Sequence, residues 1–225
     1  MEARMAVPPE ARTDTPPSFD AAFRAGLEAL FAWRRDVRCF HTTPLDEAEY
    51  AALLGAACQA PSVGFSQPWR LVRVREGARR AAIRAIFATS NAAALALQAD
   101  ERAGLYARLK LAGLDDAPEH LAVFVEPQPG TGHGLGRATM PETVAYSAVL
   151  AIHTLWLAAA ARGIGVGWVS ILDPQHVVRA LDVPAHWQLV GYLCIGFPAE
   201  ASKVPELERA GWEHRLPLAD LLVER

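Results

Sequence analysis

Hydrophobic residues recur at helical spacing from Phe19 to Trp33, and that run ends in the basic stretch Arg34-Arg35-Asp36-Val37-Arg38. Asp46 and Glu49 predict the N-cap and third position of a second helix, with Leu53, Leu54 and Ala57 on its buried face and Pro61 as its stop. From Pro61 to Pro68 the chain is dense in small, turn-forming residues, and Trp69 to Val74 then has strand character. Gly77 to Gly113 reads as two helices and Leu121 to Glu126 as a second strand. Thr139 and Glu142 predict a capping box for a long apolar helix that tolerates Pro141 in its first turn and ends near Gly163. Gly165 to Leu172 and Gln188 to Phe197 are two further apolar strands, and residues 200–225 read as an extended arm with a short final helix.

Four strands and at least five helices in unequal order do not build a doubly wound sheet, so the expected class is α+β. An arm with little core of its own gains stability by wrapping a second subunit, which predicts a homodimer. Residues 1–18 read as a flexible tail and 19–225 as one domain.

Composition narrows the function. The 225 residues are 52% hydrophobic with a formal charge of −3, which suits a buried core and a small ligand and offers no basic face for nucleic acid. Three scattered cysteines, Cys39, Cys58 and Cys194, form neither a disulfide framework nor a paired zinc site, and the proline-rich start lacks the apolar core of a signal peptide. A reducing cytoplasm is the expected compartment. Val144 to Ala161 is apolar enough to raise a membrane span, but Tyr146, Ser147, His153 and Thr154 interrupt it, so a buried central helix is expected. Seven histidines show no metal-ligand spacing, no metal is expected, and His153 reads as a core residue.

Arg34, Arg35 and Arg38 present guanidinium forks suited to a phosphate, or else a solvated helix end. Asp36 between them is held ionised, as a proton acceptor or a plain salt-bridge partner. Ser62 and Ser66 can bond a polar heterocycle or serve turn geometry. Ser170, inside an otherwise apolar strand, needs either a backbone carbonyl or a ligand that approaches over the neighbouring glycines. Glycines 130, 132, 134 and 136 alternate without dinucleotide-binding spacing, which suggests a mobile loop or hinge.

Together these stretches resemble the flavin-dependent nitroreductase superfamily. Arg34-Arg35-x-Val37-Arg38-x-Phe40 is similar to its opening arginine motif, Ala60-Pro61-Ser62 with Gln67-Pro68-Trp69 to its flavin loop, Gly163 to Val169 to its glycine-rich strand entry, and Arg215-Leu216-Pro217 to its basic phosphate motif. Asp36 and Phe65 stand where ordinary members commonly carry serine and asparagine. This version, with Leu-Lys-Leu-Ala-Gly-Leu at 109–114 and Gly-Trp-Glu-His-Arg at 211–215, is similar to the aerobic 5,6-dimethylbenzimidazole synthases of cobalamin biosynthesis.

The resemblance implies a central, mostly antiparallel sheet flanked by helices, and an enzyme that fragments reduced FMN with O2 and releases erythrose 4-phosphate. It implies FMN contacts from Arg34, Arg35, Asp36, Val37, Arg38, Ser62, Gly167, Trp168 and Arg215, with Asp36 and Ser170 as catalytic residues. A separate flavin reductase would supply the reduced flavin. Residues from about 95 to 136 would form a lid over the pocket.

Overall fold

The computed structural model describes residues 16–225, apart from the side chains of Asp100 and Glu101; most of the 1–18 stretch therefore lies outside the described residues. Helices α1 (Ala21–Trp33) and α2 (Glu47–Ala57) precede strand β1 (Trp69–Arg73), and α3 (Gly77–Ala96) and α4 (Asp100–Tyr106) lead to β2 (Glu119–Val125). Then come α5 (Thr143–Ala160), β3 (Gly165–Val169), α6 (Pro174–Leu181), β4 (Gln188–Gly196) and α7 (Glu206–Arg209). The sheet runs β1-β2-β4-β3 with every neighbouring pair antiparallel.

Period-two alternation sorts β2 between two cores. Leu121, Val123 and Val125 face Leu53, Ala57, Ala151, Ile152 and Leu155 of α2 and α5. Ala122 and Phe124 face Ile83, Val177 and Leu181 of α3 and α6. All seven β2 residues are buried, as the centre of a two-faced sheet requires.

Several expectations need correction. Asp46 does cap α2, its carboxylate accepting from Ala48 N at 2.7 Å, but Glu49 turns away to pair with Arg162 at 3.3 Å, so no reciprocal box forms. At α5 the capping residue is Glu142, without a side-chain bond, while Thr139 Oγ1 donates to the Gly136 carbonyl at 3.0 Å and Pro141 precedes the helix. His153 is exposed rather than in the core, because α5 turns Ala148, Ala151, Ile152 and Leu155 to the sheet and leaves Tyr146, Val149, Leu150 and His153 outward. The third strand stops at Val169, where its pairing with Tyr192 ends, so Ser170 lies beyond the strand and is exposed.

The glycine loop is docked rather than free. At Gly64 (φ +55°) a Cβ would lie 2.8 Å from the Gly132 carbonyl, and at Gly132 (φ +78°) it would lie 2.9 Å from the Gly64 carbonyl, so the two loops interlock only as glycines. Thr131 Oγ1 donates to the Ser66 carbonyl at 2.6 Å across the same seam. The buried Ser147 hydroxyl ties that seam to α5 by accepting from Val63 N at 3.0 Å. Because residues 95–136 also contain the fully buried β2, only the stretch before β2 is left to serve as a moving cover.

His120, on the α3 side of β2, is buried with Nδ1 2.9 Å from the Tyr192 hydroxyl. Burial first, then Arg80 and Arg84, push its pKa down to about 3. An unfolded chain protonates the ring near pH 6.5 as usual, so between about 6.5 and 3 the unfolded state holds a proton that the folded state refuses. This contribution to stability is complete above pH 6.5 and is lost as pH falls: about 2 kcal/mol between pH 7 and pH 5. Urea midpoints at the two pH values should show that slope in the wild type and much less of it in His120→Asn; equal slopes would contradict the assignment.

Candidate active site

The arginine motif sits where it does because residues 36–41 lie against the free edge of β3 and the end of β4. Val37 N donates to the Val166 carbonyl at 3.0 Å, part of a parallel bridge between Asp36 and Val166, and His41 N donates to the Phe197 carbonyl at 2.8 Å. Glycines in β3 permit this crossing: a Cβ at Gly167 would stand 2.0 Å from the Val37 carbonyl oxygen, and one at Gly165 would stand 2.8 Å from Val37 Cγ2. The open space over these glycines, which the sequence offered to a ligand, is thus filled by Val37.

Asp36 is fixed on both oxygens. Oδ1 accepts from Trp168 N at 2.8 Å and Oδ2 from Arg38 Nε at 3.0 Å, while the side chain keeps 34% of its exposure. Arg38 is itself committed, donating from Nη1 to the Lys110 carbonyl at 3.1 Å, and its side chain is only 12% exposed. It therefore orients Asp36 rather than offering a free fork.

The remaining arginines differ. Arg34 lies with its guanidinium 5.0 Å from the Trp156 ring centre and lines a cleft of about 190 Å³ with Arg35, Val37 and Trp156. Arg35 donates to the carbonyls of Arg34, Ala32 and Lys203, yet its buried Nε has no acceptor among the described residues. Burial first, then the charges of Arg34 and Arg215, lower its pKa, with Glu208 opposing them. An unfilled Arg35 donor with two further guanidinium charges near it is a donor set whose chemistry suits a phosphate group.

Ser62 is not part of this cluster. Its Oγ accepts from Gln67 N at 3.1 Å in the loop entering β1, and β1 and β3 are opposite edges of the sheet, about 14 Å apart at three strand spacings. That loop is strained: Phe65 (φ +54°) and Gln67 (φ +47°) both adopt left-handed backbone, and Phe65 projects 78% exposed. Ser170 and this loop share the same end of the sheet, since Trp69 pairs with Val125, Val125 with Gln188, and Val169 leads out towards Ser170.

The sequence model of the Nitroreductase family matches residues 31–197, from the arginine motif through β4. The chain belongs to the nitroreductase family. Among curated proteins, it is 63% identical to the 5,6-dimethylbenzimidazole synthase of Rhodospirillum rubrum over 203 residues, covering 90% of this chain and 96% of that one. It is 48% identical to the 5,6-dimethylbenzimidazole synthase of Rhodobacter capsulatus over 200 residues, covering 89% and 97%. Among solved structures, iodotyrosine deiodinase bound to FMN and 3-iodo-L-tyrosine superposes with a TM-score of 0.66 at 24% identity, covering 78% of this chain and 91% of that one. That likeness confirms the antiparallel nitroreductase-like fold.

In this nitroreductase-family site, sequence reasoning passed over Trp156 and Lys203. Trp156 Nε1 donates to the Arg35 carbonyl at 3.1 Å while its ring lies near Arg34, and the Lys203 carbonyl receives Arg35 from 168 residues away. Trp156 could have been singled out as a tryptophan late in α5 whose N–H needs a partner when buried. Nothing local marks Lys203.

Proposed function

We propose that this nitroreductase-family chain takes reduced FMN as its substrate and, with oxygen, converts it to 5,6-dimethylbenzimidazole, the lower base of vitamin B12, releasing erythrose 4-phosphate. The observation that carries the reading is the 63% identity to the Rhodospirillum rubrum synthase along 90% of the chain. Bound reduced flavin supplies the electrons that activate oxygen.

Arg34, Arg35 and Arg215 hold the flavin phosphate. Asp36, aimed by Trp168 N–H and Arg38, accepts a proton from the ribityl chain. Ser170, exposed at the end of β3, donates a hydrogen bond to the flavin ring or to oxygen. The stretch before β2 covers the site: Lys110 is tied to Arg38, and Tyr106 packs on Trp212 with ring centres 6.0 Å apart.

A second copy of the chain completes the pocket and brings its own Ser62 loop. Two features support this. The 190 Å³ cleft falls below the roughly 300–1,000 Å³ of small-molecule sites. Exposed apolar side chains also gather on α1 (Phe23, Phe31), on α5 (Tyr146, Leu150) and on the arm (Leu218, Leu221). A separate reductase supplies reduced FMN in the cytoplasm, in keeping with three free thiols.

Purified protein mixed with pre-reduced FMN and then air, without nicotinamide, should yield 5,6-dimethylbenzimidazole by mass spectrometry. Intact FMN, with NAD(P)H oxidised in a parallel assay, would instead identify a reductase that keeps its flavin.

A further inference from the structure

Arg137 stands apart from every function assigned above. It lies on the turn between the interlocked glycine loop and α5, with its Nε sealed from solvent and without an acceptor among the described residues. No carboxylate among those residues comes within 4.0 Å of its guanidinium, although arginines 38, 73, 75, 79, 84, 162 and 209 all have such partners. Glu126, the chain neighbour of Pro127 in the cavity wall, is already engaged, its Oε1 by Gln128 N at 3.0 Å and its Oε2 by His186 Nε2 at 2.7 Å. Glu142 is exposed and forms no ion pair among the described residues. A partly desolvated cation without a counter-charge is costly to hold.

What it faces is a cavity of about 340 Å³, within the range of small-molecule sites, walled by Pro127, Pro141 and Val144 and edged by Gln128 and Gly134. The turn is fixed before any ligand arrives. Ala138 N donates to the Gly134 carbonyl at 3.1 Å, Met140 N to the Gly136 carbonyl at 3.1 Å, and the loop upstream is clamped on Gly64 and Ser66.

We propose that Arg137 and this cavity bind a small organic oxyanion, at a site separate from the Arg34, Arg35 and Arg215 grip. The guanidinium fork supplies paired donors, the Gln128 amide a further one, and the proline and valine walls take the apolar part of the ligand. This inference does not depend on the flavin reaction.

The test titrates inorganic phosphate and then acetate into flavin-free protein while following the Arg137 Nε–Hε resonance, assigned by its disappearance in Arg137→Lys. A saturable shift is expected, with phosphate or acetate as the stronger probe according to the ligand's head group. Arg137→Gln should bind the stronger probe at least about tenfold more weakly, the loss of one charge-assisted bidentate contact. Its FMN affinity should stay within about threefold of wild type. Arg137→Lys keeps the charge and guards against a variant that merely misfolds. Absence of a saturable shift with either probe would overturn the site. A fall in FMN affinity as large as the fall in probe affinity would overturn its separateness, by placing Arg137 in the flavin grip.

Discussion

Asp36→Asn should bind FMN within a few-fold of wild type yet form 5,6-dimethylbenzimidazole at least about 100-fold more slowly, the scale of a lost general base. Asparagine can still accept from Trp168 N through Oδ1, so the crossing of residues 36–41 over β3 survives. Its amide would then present hydrogens to Arg38 Nε, donor against donor, while Arg38 keeps the Lys110 carbonyl. The substitution thus removes the proton acceptor with little disturbance of the phosphate grip. Flavin titration and product yield under air, measured on the same preparation, separate the two effects. Normal product yield would reduce Asp36 to a salt-bridge partner and return the proton-transfer role to another group.

Gly167→Ala should be among the most damaging single methyl additions in the chain, costing about 3 kcal/mol or more as an overpacking change against backbone. The new Cβ meets the Val37 carbonyl oxygen at 2.0 Å, and Val37 cannot retreat without losing its bond to the Val166 carbonyl. Gly165→Ala is the internal control. The three atoms nearest its Cβ all belong to the Val37 side chain, Cγ2 at 2.8 Å and Cβ and Cγ1 at 3.1 Å, and a side chain yields by a few tenths of an ångström more readily than a backbone carbonyl at 2.0 Å. Urea denaturation should therefore rank wild type above Gly165→Ala and Gly165→Ala well above Gly167→Ala, with FMN affinity falling in the same order. Equal stability of the two variants would show that the crossing is looser than described.

What the sequence revealed depended on whether the cause was local. Asp36 between arginines announces its ion pair with Arg38, two residues away, and the 2.0 alternation of Leu121, Val123 and Val125 announces a strand. Trp168 N–H as the other partner of Asp36 is 132 residues distant, beyond the reach of any spacing rule. Ser170 was placed inside the strand because Ile171 and Leu172 continue the apolar run, but pairing with β4 ends at Val169, and hydropathy does not mark where a partner stops. The alternating glycines looked mobile because glycine serves freedom and close approach equally; only the meeting of Gly64 with Gly132 decides between them. His153 faces outward on a helix whose opposite side alone is core, a distinction blurred when nearly every residue around it is apolar.

The order β1-β2-β4-β3 also sets the time at which the site can exist. The last strand to leave the ribosome fills the interior of the sheet, joining β2 to β3, and β3 in turn anchors Asp36. A nascent chain that stops before Gln188 has a β1–β2 pair and an unattached β3, so its arginine motif has no settled place to lie. Such long-range closure slows folding. Flavin capture by a growing chain should therefore switch on late and abruptly, once β4 and then the arm carrying Lys203 and Arg215 have emerged, rather than build up as the arginines, the serine loop and the glycine strand appear one after another.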